Sequence, residues 1–348
     1  MAFYKFVSVI AIGLSLLACG GGGSSSGPSP NRNATPNPNT NTPDPNNPDP
    51  NGPGVVASNN FAFFPIVDGS EWHFDNGDVV TLGDAISIEG VTVRPLVHSS
   101  PAWASQEYFL SDDEHIYFSG MFSSILDLSA LGLGVGSLDG QIQLNAPWKM
   151  YTPKEDKGWG GFLSFKSAML TVYPGEYEAP ITLNPRSSVV DKTALNVSAL
   201  GMVPALQLNI KTDLLYQVAP IGSVDLNIWL APGLGIIARQ VGADPSARVT
   251  LSDVVGLSAP VVFIFDQGNA ISQGSHPLTW YGDELTDNQL QAAVEYATEQ
   301  EDWLNVEYTS GRWQVSLLEE LPTGLHAAVV TLASSAQSYD VVVSVLVE

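Results

Sequence analysis

The chain has 348 residues, 44% of them hydrophobic and 14% charged, with 36 acidic against 13 basic side chains and a formal net charge of -23. Its length and apolar content suffice for a core and point to about two domains. A field of that sign, with no basic stripe to offset it, argues against nucleic acid as a partner, and the low charge density with many Ser, Thr, Asn and Gly residues is that of an exported β-protein.

Lys5 precedes "FVSVIAIGLSLLA", about a dozen apolar residues, too few to span the ~30 Å hydrocarbon core of a bilayer as a helix. Residues 1–18 therefore read as a signal peptide. Leu16, Leu17, Ala18 and Cys19 resemble the lipobox of bacterial lipoproteins. That resemblance implies that Cys19, the only cysteine of the chain, receives a diacylglyceryl group and becomes the acylated N-terminus after cleavage. At ~0.8 kcal/mol per buried methylene, several acyl chains on one residue give durable attachment to a lipid bilayer. Gly20 stands where lipoproteins kept at the inner membrane usually carry Asp, which implies the outer membrane of a Gram-negative bacterium.

Residues 19–60 form the next segment. Its "TPNPNTNTPDPNNPDPNGPG" has nothing to bury and a proline at nearly every second or third place, so an extended, solvated tether is expected. At ~3.1 Å per residue it reaches on the order of 100 Å when stretched. Its Asp and Asn residues lack the EF-hand order of ligands, and its prolines oppose a compact chelating loop.

From Phe61 to residue 256 the pattern is of short alternating runs separated by turns. "EWHFDNGDVVTLG" sets Trp72 and Phe74 two apart, then a "DNG" turn, then Val79, Val80 and Leu82, which predicts a hairpin. "QEYFLSDDEHIYFSGMF" repeats the design around an acidic turn. In "ALQLNIKTDLLYQV", Leu206, Leu208 and Ile210 share one face and Gln207, Asn209 and Lys211 the other. No stretch here holds a helical stripe, and the expectation is one antiparallel β-domain, a sandwich or a strongly curved, partly open barrel. The opening "FFPIVDGSEWHF" and closing "NIWLAPGLGIIAR" resemble the two ends of an uncharacterised bacterial lipoprotein family. The resemblance implies a fold and no activity. Physically, Gly233 and Gly235 suit positive φ in a turn or bulge, with Pro232 at an edge or corner.

A second domain is expected over residues 257–348. "APVVFIF" reads as a buried strand, and "LHAAVVTLASSAQSYDVVVSVLVE" as two strands joined by a small polar turn. Trp303 and Leu304, the Ser310-Gly311 turn, and Pro322, Thr323 and Gly324 resemble the order of features in the BACON-type immunoglobulin-like module of bacteria, which implies an immunoglobulin-like β-sandwich. Residues 286–303 stay open between a helix, with Thr286 and Gln289 at capping-box spacing, and a strand with Leu290, Ala292, Val294 and Tyr296 inward; the strand is preferred. The whole chain is thus expected to be all-β.

Chemistry is sparse. There is no H-E-x-x-H, no G-x-S-x-G and no Walker loop, no cofactor is implied, and the five histidines are scattered without ligand spacing. "LGLGVGSLDG" lacks the third glycine of a dinucleotide loop and a surrounding βαβ unit, which makes it a glycine-rich loop or barrel corner. Asp112, Asp113, Glu114 and His115 gather oxygen and nitrogen groups that suit a hard cation, against the preferred reading of a solvated polar turn with no metal. Trp159 within "KGWGGF" suggests an aromatic on a flexible loop that stacks on a sugar or anchors a protein, against a strand start with a buried indole.

The preferred reading is a non-enzymatic, lipid-anchored envelope protein that binds a carbohydrate or protein partner. A carrier or chaperone enclosing an apolar ligand, with the stretch from Ile125 to Val135 lining its cavity, is the alternative. A glycoside hydrolase, which needs two carboxylates about 5–10 Å apart in a cleft, comes third. The anchor has a direct check: labelled palmitate is expected to enter the wild-type chain in a Gram-negative host and to be lost in Cys19→Ala, and label retained by that variant would reject acylation at this residue.

Overall fold

The structure, a computed structural model, describes residues 62–88, 91–100, 104–111, 115–126, 138–160, 164–173, 177–265, 276–280, 283–284, 288–318, 321–334 and 338–348. The expected signal peptide, Cys19, the tether, Asp112, Asp113, Glu114, most of the stretch from Ile125 to Val135 and Thr286 lie outside the described residues.

The described chain is all-β, with no α-helix among its elements. Fourteen strands make the large sheet: β1 (Glu71–Phe74), β2 (Val79–Leu82), β3 (Ile86–Ile88), β4 (Val91–His98), β5 (Gln106–Ser111), β6 (Ile116–Leu126), β7 (Leu138–Thr152), β8 (Lys157–Gly158), β9 (Lys166–Val172), β10 (Tyr177–Val197), β11 (Gly201–Tyr216), β12 (Ala219–Ala231), β13 (Gly235–Val241) and β14 (Arg248–Val255). Neighbours run β2-β1-β14-β13-β12-β11-β10-β9-β7-β6-β5-β4 and all pairings are antiparallel. A further pairing of β2 with β4 joins the two ends into a barrel-like ring of 12 strands. β3 and β8 attach to β4 and β7 outside the ring.

The alternation in the sequence explains these strands. Leu206, Leu208 and Ile210 of β11 are at most 8% exposed, whereas Lys211 is in solvent and Gln207 and Asn209 are half-buried. On that outer face Gln207 and Asn209 donate to the Asn227 side chain of β12 and Asn209 also to Asp225, so the polar positions form a cross-strand ladder of their own. The β1–β2 hairpin turns at Asn76-Gly77, with Gly77 at φ 86° and its N–H donating to the Phe74 carbonyl at 3.0 Å. Trp72, Phe74 and Val80 point inward from it.

A round ring of this strand number, at ~4.8 Å between strands, is roughly 18 Å across. Arg239 of β13 nevertheless reaches Glu107 of β5, well around the ring, at 2.5 Å. The ring is flattened at this level, and side chains fill it: Leu144, Leu170, Leu206, Leu208, Ile228 and Leu230 are at most 2% exposed and belong to one apolar cluster.

The remaining strands are β15 (Val261–Phe265), β16 (His276–Pro277), β17 (Thr279–Trp280), β18 (Asp283–Glu284), β19 (Gln291–Tyr296), β20 (Leu304–Thr309), β21 (Arg312–Leu317), β22 (Gly324–Ala333) and β23 (Ser338–Val347). They form a four-stranded sheet, β15-β23-β22-β19, with β15 parallel to β23, a three-stranded sheet, β16-β21-β20, and the β17–β18 pair. Val261, Phe263, Trp303, Val315, Val330 and Val343 belong to the core these sheets share. The Ser310-Gly311 turn closes β20 onto β21 with both residues at positive φ, 52° and 85°, as a two-residue hairpin loop requires. Residues 291–296 are a strand. Pairing with β22 overrides the helical preference of Ala, Glu and Gln; Val294 and Tyr296 pack on the core, while Ala292, expected inward, is exposed.

The two groups of sheets pack together. Leu325 and Ala327 of β22 enter the apolar cluster of the ring. At the β12–β13 turn, a Cβ on Gly233 (φ +80°) would lie 3.1 Å from Val342 Cβ and 3.3 Å from Pro260 Cβ, so the Ala-Pro-Gly turn is where the later sheets press on the ring.

The β11–β12 hairpin departs from turn chemistry. Gln217 (φ 48°) and Val218 (φ 65°) occupy both left-handed positions, and Val218 is 92% exposed, so a β-branched residue bears a conformation suited to Gly with no packing in return. Val218→Gly is expected to raise stability by about 1 kcal/mol, read as a higher urea midpoint at unchanged slope; an unchanged or lower midpoint would show that the strain is absent.

Candidate functional site

Trp159 follows β8 on a segment held against β10. A Cβ on Gly158 would lie 2.4 Å from the Ser187 carbonyl oxygen, and one on Gly160 2.3 Å from that of Pro185. Both glycines of "GWG" are therefore set by close backbone approach. Between them, Trp159 N–H donates to Ser187 Oγ at 2.8 Å and its carbonyl accepts from Ser187 N–H at 2.8 Å. Ser187 Oγ in turn donates to the Met150 carbonyl at 2.5 Å. The segment is pinned, which corrects the expectation of a flexible loop.

The indole is half-buried, and its N–H donates to Thr152 Oγ1 of β7 at 2.5 Å. The ammonium groups of Lys149 and Lys157 lie 4.2 and 4.3 Å from the ring centre, a cation–π geometry. His115, buried at the start of the strand run into β6, meets the ring edge-on at 6.2 Å and Tyr117 at 5.7 Å. Two candidate regions 44 positions apart, at His115 and Trp159, thus form one locus. Among the described residues, no three His, Cys, Asp or Glu side chains are grouped to hold a metal.

Below the indole the β7–β8 turn is also tied down. Tyr151, 2% exposed, donates its hydroxyl to Asp156 Oδ1 at 3.1 Å, and Asp156 pairs with Lys192 of β10 at 2.6 Å. Burial, followed by the Asp156 charge, pushes the Tyr151 hydroxyl well above its ordinary pKa, so it stays a neutral donor. Lys149, Lys157, Thr152 and Ser187 were not singled out in the sequence. The available signal was the concentration of Lys149, Lys154, Lys157 and Lys166 in a chain with only 13 basic residues.

A second cluster lies inside the ring. Asp78, His98, Glu107 and Arg239 are 5, 9, 1 and 9% exposed. His98 Nδ1 contacts Asp78 Oδ2 at 2.6 Å and its Nε2 contacts Glu107 Oε2 at 3.2 Å, while Arg239 Nη2 donates to Glu107 Oε2 at 2.5 Å. Ser100 N–H and Ser99 Oγ donate to Asp78 Oδ1. Beside the cluster, Phe64, Trp72, Phe74, Leu96, Ile236 and Arg239 line a small recess with room for about 10 Å³.

Carboxylates on both ring nitrogens favour the imidazolium. Burial opposes the charge of His98 most strongly, but hydrogen bonds to Asp78 and Glu107 outweigh it and raise the pKa. Burial likewise pushes Glu107 up, and the Arg239 charge together with His98 brings it below its ordinary value. Asp78 is lowered against its burial by His98 and the Ser100 N–H. The four charges sum to zero when His98 is protonated. With every partner internal, this is an ion network that holds walls together. No sequence motif announces it, because the members are spread from residue 78 to 239.

No protein-family model matches the chain, and no curated protein matches it in sequence.

Removing Arg239 would leave Asp78 and Glu107 in the interior with His98 as their one cationic partner, so that one buried negative charge is uncompensated. Arg239→Met is therefore expected to lower stability by about 3–5 kcal/mol in chemical denaturation; a loss under 1 kcal/mol would deny the network its role. In the wild type the stability from His98 is complete below its ordinary value of 6.5 and lost as pH rises through its raised folded value. That from Asp78 and Glu107 is complete above 3.8 and 4.5 and lost as pH falls through their lowered folded values. Their combined contribution is thus greatest between 4.5 and 6.5, and it should be visible as a maximum of the wild-type thermal unfolding midpoint in that pH window.

Proposed function

We propose that this is a non-enzymatic, lipid-anchored protein of the bacterial outer membrane, attached through acylated Cys19 and the tether of residues 19–60, whose β-body binds a carbohydrate at Trp159. The observation that carries the reading is the held indole: its N–H is satisfied internally by Thr152, its backbone is bonded to Ser187 on both sides, and a ligand would meet the half-buried ring together with the Lys149 and Lys157 ammonium groups over it. A rigid aromatic platform loses little entropy on contact and suits the apolar face of a sugar ring.

The resemblance of residues 257–348 to the BACON-type module agrees with this reading, since such modules often accompany carbohydrate-handling proteins. In our interpretation the sheets β15-β23-β22-β19 and β16-β21-β20, which share one core, are the two layers of an immunoglobulin-like sandwich. The filled ring weighs against a carrier: the recess beside Arg239 has room for only about 10 Å³, roughly one water molecule, against the ~300–1,000 Å³ of ligand pockets. Asp78 and Glu107 do not resemble a hydrolytic pair, because His98 and Arg239 engage them in the interior.

Glycan-array binding by the detergent-solubilised lipoprotein tests the reading. A signal weakened at least tenfold in Trp159→Ala is expected, as for a residue at the centre of an interface. Absence of any glycan signal, or a pull-down that captures only a protein through this face, would reject the carbohydrate ligand.

A further inference from the structure

The groups around Trp159 narrow the kind of sugar it suits. A bare indole face serves a neutral sugar, whereas this ring carries two ammonium groups at 4.2 and 4.3 Å from its centre and so offers charge together with apolar area. Lys154 stands in solvent on the adjoining turn, and Lys192 reaches that turn through Asp156. Against these four lysines stand Glu155, 3.6 Å from Lys157, and Asp156, 2.6 Å from Lys192. Among the described residues, neither Lys149 nor Lys154 has a carboxylate within ion-pair distance. In a chain with a net charge of -23, the described residues of the locus carry a local excess of positive charge beside a held aromatic, four lysines against Glu155 and Asp156.

Resting on the binding role of Trp159 proposed above, we infer that the ligand is an anionic saccharide: Lys149 and Lys157 hold an acidic group of one unit while a sugar ring contacts the indole. An acidic group gains charge-assisted hydrogen bonds from both ammonium groups, and it turns the lysines from an obstacle over the ring into part of the recognition. A neutral sugar has to displace them.

Calorimetric titration of the detergent-solubilised lipoprotein with three probes separates the possibilities: a galacturonate hexamer carrying carboxylates, a heparin-derived hexasaccharide carrying sulfates, and neutral maltohexaose. At least one acidic probe is expected to bind roughly tenfold or more tighter than maltohexaose, with an affinity that falls between about 0.05 and 0.5 M NaCl. Which acidic probe binds identifies the group. Lys149→Gln with Lys157→Gln should remove the preference, and Lys149→Arg with Lys157→Arg should restore it, with the fold of each variant checked by circular dichroism. Maltohexaose bound as tightly as both acidic probes, or an acidic preference indifferent to the Gln pair, would overturn the anionic ligand and leave carbohydrate binding at Trp159 standing. If no saccharide binds, while the glycan array is also blank, both readings fall together.

Discussion

Asp78, His98, Glu107 and Arg239 meet inside the ring at the place where it closes. Asp78 precedes β2 and His98 ends β4, the two strands whose pairing completes the circuit, with Val80 opposite His98. Glu107 lies on the next strand and Arg239 on a distant one. Burying four charges is costly, and the arrangement is tolerable only because each meets an opposite partner at hydrogen-bond distance. The same contacts draw β13 towards β5, so a ring wide enough for a lumen is collapsed onto its own side chains. The network ties together residues at β2, β4, β5 and β13 at one level of the ring.

That closure decides where function can reside. With Leu206, Leu208, Ile228 and Leu230 packed in the interior, the binding role proposed for this protein belongs to the outside of the sheet. There the locus around Trp159 is built by the same economy of backbone approach that governs the fold. Gly158 and Gly160 let the segment lie against the carbonyls of β10, Ser187 fixes it from one side and Thr152 holds the indole N–H from another. Lys149 and Lys157 then find the ring, and His115 closes its edge. Rigidity at a half-buried aromatic and a group of lysines in an acidic chain are separate properties, and their coincidence at one place gives the locus its chemical character.

Much of the architecture was legible in the residues. The alternation at Leu206, Leu208 and Ile210 named the inward face of β11, the "DNG" turn named the β1–β2 hairpin, and the glycines of "APGLG" named positive φ at 233 and 235. Legibility failed where the deciding contact is remote. Ala292 was placed inward by period alone, but β19 is the last strand of its sheet and that position faces solvent. Gln217-Val218 carries no turn signal, yet the pairing of Tyr216 with Ala219 forces a two-residue loop there. Trp159 between glycines suggested mobility, because nothing local shows that the glycines exist to admit the backbone of β10.

By itself, then, the sequence determined what depends on neighbours in the chain: period-two strands, turn positions, an all-β body and an acidic balance. Tertiary structure alone decided what depends on residues far apart. The ring closes through β2 and β4, four scattered charges share one interior site, and His115 meets Trp159. The physical reason is that strand alternation and turn propensity are encoded locally, whereas the partner that neutralises a buried charge or covers an aromatic face comes from wherever the pairing of strands brings it.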